Sequence, residues 1–262
     1  MTARPGGVRL ALSWLTVVPV PQPRSAPDRT DGRRVIAAVP VVGALLGAAT
    51  AALAFGLGYT ALPAPVIGAL CVVFLALATR GMHLDGLADT ADGLGCYGDP
   101  ERVRAVMRSG DVGPFGAATL VLVLLLQALT VGGLAAESRW YDLAFAVFLG
   151  RVAVVIACRS GLPSANPDGF GALVAGTQRA AIAVWLVVAA IAVAGAGWLG
   201  AGATPAFQLG APIRAAIALI VVVAFGYAFT RHCARRIGGV SGDVLGATIE
   251  LSTTLALVVL LA

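Results

Sequence analysis

Lysine is absent from this chain of 262 residues, because all 18 of its basic residues are arginine. Without lysine the chain can form neither a Schiff base nor a lysine-containing phosphate-binding loop. Histidine occurs only at His83 and His232, which is too few for a metal site built from histidine. The four cysteines are scattered without a Cys-x-x-Cys pair, which argues against a zinc site or a disulfide framework and is typical of a reducing compartment.

Charge is also scarce, since 12% of the residues are charged and 59% are hydrophobic, with a mean hydropathy of +0.91. A soluble domain of this length carries about 25% charged residues. The chain is therefore predicted to be an all-α integral membrane protein that forms one domain over residues 1–262. The net charge of +5 comes from arginines in short loops between apolar runs, which indicates orientation in a lipid bilayer and no nucleic-acid partner.

Seven uncharged or nearly uncharged stretches are long enough to cross a bilayer. They cover residues 35–58, 63–79, 113–136, 141–158, 180–199, 215–230 and 245–262. The expected fold is thus a bundle of about seven transmembrane helices. Asp142 and Arg151 interrupt the fourth stretch, so each needs a partner inside the protein or a position near the membrane surface.

Arginine placement orients these spans. Six arginines precede the first span, and segments 80–112, 159–179 and 231–244 hold four, two and three, so 15 of 18 fall on one side. Arginine enrichment marks cytoplasmic loops, which predicts an inner-membrane protein whose active site faces the cytoplasm. Residues 1–21 resemble a signal peptide, but prolines end the apolar run and no small-x-small cleavage site follows. We therefore expect a retained segment that is interfacial or half-buried.

Three aspartates, Asp85, Asp89 and Asp92, directly follow the second span. Their spacings of four and three place them on one face of a helix. Three clustered carboxylates repel one another unless a cation neutralises them, and oxygen ligands near phosphates favour Mg²⁺. The alternative is a solvated helix end in which Asp and Gly act as turn residues.

A second polar segment, 235–250, is rich in glycine. Backbone such as that of Gly239, next to a helix start, can bind phosphate oxygens. Asp243 and Glu250 are seven residues apart and share a helical face, and Glu250 lies in an apolar run where an unpaired carboxylate is costly. The alternatives are that Asp243 caps a helix and that Glu250 is a packed polar residue.

A third segment begins at Pro100, which can open a short helix. Arg104 and Arg108 then share one face, where they can pair bidentately with a diphosphate. The alternative is that they belong to the general positive charge of a cytoplasmic loop.

The string from His83 to Gly93, His-Leu-Asp-Gly-Leu-Ala-Asp-Thr-Ala-Asp-Gly, resembles the cobalamin synthase (adenosylcobinamide-GDP ribazoletransferase) family. Segments 15–21, 40–43 and 238–250 resemble the same family in the same order. The resemblance implies an integral membrane enzyme that joins α-ribazole, or its 5′-phosphate, to adenosylcobinamide-GDP. The implied products are adenosylcobalamin, or its 5′-phosphate, and GMP, with Mg²⁺ as cofactor.

The resemblance also implies residue roles, in a displacement at phosphorus by a ribose hydroxyl. Asp85 and Asp89 are the expected metal ligands, Asp92 is a further ligand or the general base, and His83 assists. Substrate contacts are expected from Arg104, Arg108, Gly239, Asp243 and Glu250. At residues 107–113 the family usually reads Met-Arg-Asp-Ser-Arg-hydrophobic-Gly, whereas this chain reads Met-Arg-Ser-Gly-Asp-Val-Gly. The resemblance therefore carries over Arg108 but leaves the roles of Ser109 and Asp111 open.

Three alternative functions use the same features. A CDP-alcohol-type phosphotransferase uses similar metal–aspartate chemistry. A membrane prenyltransferase would normally have a second aspartate-rich loop, and segment 159–179 has only Asp168. A transporter would use intramembrane Arg151 and Glu250 to line a path, but the charge gathers at one surface instead. Either a monomer or a homo-oligomer is compatible with these patterns.

Overall fold

The computed structural model describes residues 6–21, 26–199 and 210–262, and helices dominate these ranges. The described helices are α1 (Gly7–Leu15), α2 (Arg29–Leu57), α3 (Ala64–Ala78), α4 (Met82–Gly95), α5 (Pro100–Met107), α6 (Pro114–Ala136), α7 (Trp140–Ala157), α8 (Gly169–Val174), α9 (Ala180–Leu199), α10 (Gly210–Ile237) and α11 (Gly242–Leu261). Apart from two isolated β-bridges, these ranges contain no strand. The predicted all-α membrane fold is confirmed.

Six described helices, α2, α6, α7, α9, α10 and α11, are long and apolar enough to cross a membrane. The count becomes seven if α3 and α4 are taken together, and these two are bent by 93° at a short break. Arg80 and Gly81 at this break both have positive φ values, of 57° and 69°. Each predicted span overlaps one helix. The helix of the second span, α3, has only 15 residues, and α4 after it turns away across the end of the bundle.

Helix α7 forms the centre of the bundle, because nearly all of its residues are buried and α2, α9, α10 and α11 pack around it. Its contact with α2 depends on glycine. A Cβ atom added at Gly43 would lie 2.9 Å from Cβ of Arg151, and one at Gly47 would lie 2.5 Å from the carbonyl oxygen of Ala144. Small residues of this kind allow the backbones of membrane helices to approach closely.

The two charged residues of the fourth predicted span, Asp142 and Arg151, are both buried. Asp142 is buried and forms an ion pair of 2.7 Å with Arg139. Arg151 is only 3% exposed and lies close enough to Glu250 of α11 for their charges to interact. Asp142 therefore has an interior partner of the expected kind, and the charge of Glu250 lies near Arg151.

The described arginine-rich segments meet at one end of the bundle, which we call the arginine-rich end. Hydrogen bonds join Gln178 to the carbonyl of Arg33 (3.0 Å), Arg236 to the carbonyl of Cys96 (2.9 Å), Arg80 to the carbonyl of Trp14 (2.6 Å) and the amide of Ala165 to the carbonyl of Val240 (3.0 Å). The N-terminal segment and segments 80–112, 159–179 and 231–244 thus share one side, as the alternation of spans predicted.

Helix α1 is half-buried at this end and packs against α2, with Leu10, Ala11 and Ser13 as its buried residues. The amide of Val17 donates to the carbonyl of Ala78 (2.9 Å), which joins the segment after α1 to the end of α3. The described part of this segment therefore packs at the arginine-rich end, in agreement with the half-buried alternative.

Candidate active site

Helix α4 carries the first aspartates and lies directly on the first turns of α11. Two glycines allow this approach. A Cβ atom at Gly86 would lie 2.7 Å from Cα of Asp243, and one at Gly246 would lie 3.1 Å from Cα of His83. The two helices therefore touch along their backbones, which brings the α4 aspartates beside Asp243.

Asp85, Asp89 and Asp243, which we call the site aspartates, act on one another electrostatically. The pKa of Asp89 is raised from 3.8 to about 6, mainly by burial and then by the charges of Asp85, Asp243 and Asp92. The hydroxyl of Ser241 accepts from the amide of Val244 (3.3 Å) and lies 3.1 Å from Oδ2 of Asp243. Ser241 therefore caps α11, and the alternative that Asp243 is the cap is wrong.

A metal ion at the site aspartates stays a prediction. In the part of the chain that the structure describes, no group of three or more His, Cys, Asp or Glu residues is arranged to hold a metal ion. Mg²⁺, however, is usually bound through one or two carboxylates together with water and substrate phosphates. Carboxylate oxygens suit this hard cation, so a metal ion bound by one or two of the site aspartates and a substrate phosphate is compatible with the residues present.

Asp92 lies in a different environment. It is 7% exposed, and its two carboxylate oxygens accept hydrogen bonds from the amides of Gly113 (2.7 Å) and Gly116 (2.9 Å). A Cβ atom at either glycine would collide with this carboxylate. Asp92 thus satisfies free amides at the start of α6, where the helix dipole favours negative charge. Its predicted roles as ligand or base stay predictions, and the geometry favours Asp243 as the third carboxylate.

His83 and Glu250 form a buried pair between α4 and α11. Nδ1 of His83 lies 3.6 Å from Oε1 of Glu250. The side chain of Gln127 donates to Oε2 of Glu250 (2.8 Å) and to the hydroxyl of Thr254 (3.1 Å). Glu250 is therefore held from α6, behind His83, and the predicted proximity of Glu250 to the first aspartate segment agrees with this position. Its predicted contact with substrate stays a prediction.

A cavity of about 550 Å³, the main cavity, opens beside this pair. Arg80, His83, Asp85 and Asp243 are polar residues of its wall. Most of the remaining wall is apolar and comes from α1, α2, α7, α8 and α11. The cavity thus places the candidate catalytic groups at one side of an apolar space.

Sequence reasoning missed the aromatic part of this wall. Trp14 of α1 and Phe170 of α8 both line the main cavity, with ring centroids 6.2 Å apart in an edge-on arrangement. The only sequence signal is that each aromatic residue lies in a short segment next to a predicted span, which alone does not distinguish a ligand contact from a membrane-surface anchor.

The remaining predicted substrate residues lie outside the main cavity. Arg104 donates to the carbonyl of Ile237 (2.6 Å), and Arg108, which is exposed, donates to Oδ1 of Asn166 (3.0 Å). These bonds attach α5 to the end of α10 and to segment 159–179. A Cβ atom at Gly239 would collide with the backbone of segment 164–165, so close packing already requires this glycine. Their contacts with substrate stay predictions.

The segment that departs from the family pattern borders a second, smaller cavity of about 290 Å³. Ser109 and Asp111 line it together with Asp92 and Phe115. The residues that differ from the family pattern therefore line the smaller cavity, whereas Asp85 and Asp243 line the main cavity.

Known proteins are similar to this chain over all of the helices from α1 to α11. The model of the cobalamin-5-phosphate synthase family matches residues 7–261, which run from the first residue of α1 to the last of α11. The adenosylcobinamide-GDP ribazoletransferase of Corynebacterium efficiens is 38% identical over 253 residues, which cover 96% of this chain and 90% of that protein.

Two further proteins of the same name are similar over nearly their whole length. That of Frankia casuarinae is 38% identical over 272 residues (96% of this chain and 93% of that protein), and that of Geotalea daltonii is 34% identical over 257 residues (97% and 96%). No solved structure gives a significant match. Because the family match includes every helix that builds the site, the chain belongs to the cobalamin-5-phosphate synthase family.

Proposed function

We propose that this protein is an adenosylcobinamide-GDP ribazoletransferase of the late nucleotide-loop assembly step of cobalamin biosynthesis. It transfers the adenosylcobinamide phosphate moiety to α-ribazole or α-ribazole 5′-phosphate and releases GMP. The observation that carries the proposal is the family match from α1 to α11, which includes both helices that contribute the site aspartates. Family membership favours this transferase over the membrane prenyltransferase and the transporter.

The reaction is a displacement at phosphorus. An oxygen of a ribose hydroxyl forms a bond to the phosphorus that carries the cobinamide, the bond from that phosphorus to GMP breaks, and GMP leaves with the electron pair. Asp85, Asp89 and Asp243 are the residues that would hold Mg²⁺. When bound there, the ion neutralises charge that develops on the diphosphate.

His83 accepts the proton of the attacking hydroxyl in this proposal. It lines the main cavity, and its Nδ1 faces Glu250 at 3.6 Å. A carboxylate at Nδ1 favours the tautomer that carries its proton there, which leaves Nε2 free as the base. Glu250 is thus a positioning residue, and Gln127 fixes the carboxylate of Glu250.

The diphosphate and guanosine of the donor bind outside the main cavity, towards Arg104 and Arg108. Each arginine uses one nitrogen in the hydrogen bonds described above, and a guanidinium has five N–H donors. The remaining donors suit phosphate oxygens, because arginine pairs with them bidentately.

The direct test supplies purified protein in nanodiscs with adenosylcobinamide-GDP, α-ribazole and Mg²⁺. Mass spectrometry should detect adenosylcobalamin and GMP in equal amounts. EDTA should abolish the reaction, and excess Mg²⁺ should restore it. If the wild-type protein forms no cobalamin, the proposed function is wrong, whereas full activity in EDTA rejects only the metal.

The arginine-rich end faces the cytoplasm of the cell membrane in this proposal. Arginine enrichment on this side and the use of a nucleotide substrate support that orientation. Exposed Ser109 lies at this end, and exposed Thr60 lies between α2 and α3 at the other. With Cys96 replaced by serine, Ser109→Cys should react with a membrane-impermeant maleimide only after cells are permeabilised, and Thr60→Cys should react in intact cells. The reverse pattern would contradict the orientation.

A further inference from the structure

The volume of the main cavity matches the size of one of the two substrates of the proposed reaction. Binding sites for drug-sized molecules have volumes of roughly 300–1,000 Å³, and this cavity of about 550 Å³ lies within that range. A nucleoside such as α-ribazole belongs to this size class. Adenosylcobinamide-GDP joins a corrin ring, an adenosyl group and a nucleotide, and it is several times larger. The volume therefore suits the acceptor nucleoside and is too small to enclose the complete donor.

The charged residues on the cavity wall suit a ribose. Asp85 and Asp243 contribute two carboxylates, and Arg80 contributes one guanidinium, which already donates to the carbonyl of Trp14. Ribose hydroxyls donate hydrogen bonds to carboxylates without bringing charge into an apolar space.

The apolar part of the wall suits an aromatic base. Trp14, Ile36, Val39, Phe170, Leu173 and Ile249 line it. Ser13 also lines the cavity, and its hydroxyl donates to the carbonyl of Val20 (3.4 Å). The dimethylbenzimidazole of α-ribazole has an apolar outer edge that can pack against these side chains, and its ring carries one nitrogen that accepts a hydrogen bond.

We propose that the main cavity is the acceptor site, in which the base of α-ribazole lies against Trp14 and Phe170 and its ribose faces Asp85 and Asp243. This inference rests on the proposed function, and it names the substrate that occupies the cavity. The ribose then lies between the apolar wall and His83, which places a hydroxyl beside the proposed base. The donor approaches from outside the cavity, and its reacting phosphorus meets the ribose at the site aspartates.

The test narrows the cavity and measures both substrates separately. Leu173→Phe adds volume inside the cavity, and the matched control Leu122→Phe adds the same ring type on α6, where Leu122 is 61% exposed. Leu173→Phe should raise KM for α-ribazole roughly tenfold or more, because pockets discriminate single methylene groups by about 10–200-fold. Its KM for adenosylcobinamide-GDP should change less than about twofold, and Leu122→Phe should alter neither constant.

A binding measurement keeps the inference testable if Leu173→Phe does not fold. α-Ribazole is titrated into wild-type protein and Trp14→Phe without donor while tryptophan fluorescence is recorded. Most of the wild-type signal change should be lost in Trp14→Phe. A selective rise in the donor KM, an equal rise in both constants, no change in either, or an unchanged signal in Trp14→Phe would each overturn the acceptor site. Absence of product from wild-type protein would instead reject the proposed function, and the titration would still report nucleoside binding.

Discussion

Acidic residues lie beside both ends of α11, but among the residues that the structure describes only the one at its last turn forms an ion pair with a neighbouring arginine. At its last turn, the carbonyl of Leu260 accepts from Arg139, which also forms the 2.7 Å ion pair with buried Asp142. At its first turn, Asp243 lies beside Asp85 and Asp89, and none of these three forms an ion pair within the described residues. The carboxylate of Asp142 is neutralised by a neighbouring arginine, whereas the site aspartates have no such neighbour in the described part of the chain, which is what the proposed metal site requires.

Removal of a site aspartate should produce the largest loss of activity. Asp85→Asn and Asp89→Asn each remove one charge of the proposed metal site, and we expect the rate to fall on the order of a hundredfold or more, as for other preorganised electrostatic groups. Relief of repulsion among the site aspartates should leave the melting temperature unchanged or higher. Steady-state rates at several Mg²⁺ concentrations and thermal denaturation of each variant are the measurements.

Asp142→Asn is the matched control for these variants, because it makes the same chemical change at the other end of α11. It leaves Arg139 without its buried partner, so it should lower the melting temperature while the folded fraction keeps its turnover rate. Equal losses of rate in Asp142→Asn and Asp85→Asn would show that the two ends do not differ in the way proposed.

Separating α4 from α11 should have the next largest effect. Gly86→Ala adds a Cβ atom that would lie 2.7 Å from Cα of Asp243. Displacement of reacting groups by about 1 Å can cost up to a hundredfold in rate, so we expect kcat to fall roughly tenfold to a hundredfold. Gly56→Ala is the control, because a Cβ atom there meets nothing within 4 Å. Normal turnover in Gly86→Ala would exclude close α4–α11 contact as a requirement.

The sequence predicted much of this arrangement because two of its patterns have strict physical causes. Bilayer thickness sets the length of apolar runs, so residues 180–199 were placed as a helix with the bounds that the structure shows. Helical periodicity placed Asp85 and Asp89 on one face of α4. The 93° bend before α4 was not predicted, because it depends on left-handed backbone at Arg80, a residue type that rarely adopts it.

The contacts of Asp92 and of Trp14 also escaped prediction. Whether Asp92 meets a metal or the amides of α6 depends on where α6 begins in space, and neither its spacing nor its residue type encodes that position. Trp14 reaches the main cavity because α1 packs on α2 and lies beside the α3–α4 break. Such long-range contacts follow from packing of several helices, which local periodicity does not determine.

A smaller effect on rate is expected at Glu250, which acts through His83. Glu250→Gln keeps the size of the side chain but removes the charge that faces Nδ1. We expect kcat to fall about fivefold to tenfold, because Glu250 acts through the base, whereas proton transfer by a base itself contributes about a hundredfold or more. Burial lowers the pKa of His83, and the Glu250 charge opposes that decrease.

The pH–rate profile distinguishes this positioning role from a structural one. In Glu250→Gln the pKa of His83 should be lower still, so the acidic limb of kcat/KM should move to lower pH. Gln127→Leu, which removes only the support of Glu250, should lower kcat by less. An unchanged rate and pH profile in Glu250→Gln would reduce Glu250 to a packed polar residue.

The smallest effect on rate is expected at Asp92, although it belongs to the same aspartate string as Asp85. Because both of its oxygens accept amides at the start of α6, Asp92→Asn should mainly weaken that cap, at a cost of roughly 0.5–2 kcal/mol in stability. We expect kcat to change less than about threefold and the dependence on Mg²⁺ to stay that of the wild type. Thermal denaturation and Mg²⁺ titration of the rate measure the two expectations.

If Asp92→Asn instead loses activity as completely as Asp85→Asn, a rescue by excess Mg²⁺ would identify Asp92 as a ligand. A loss that Mg²⁺ does not reverse would identify it as the base, in place of His83.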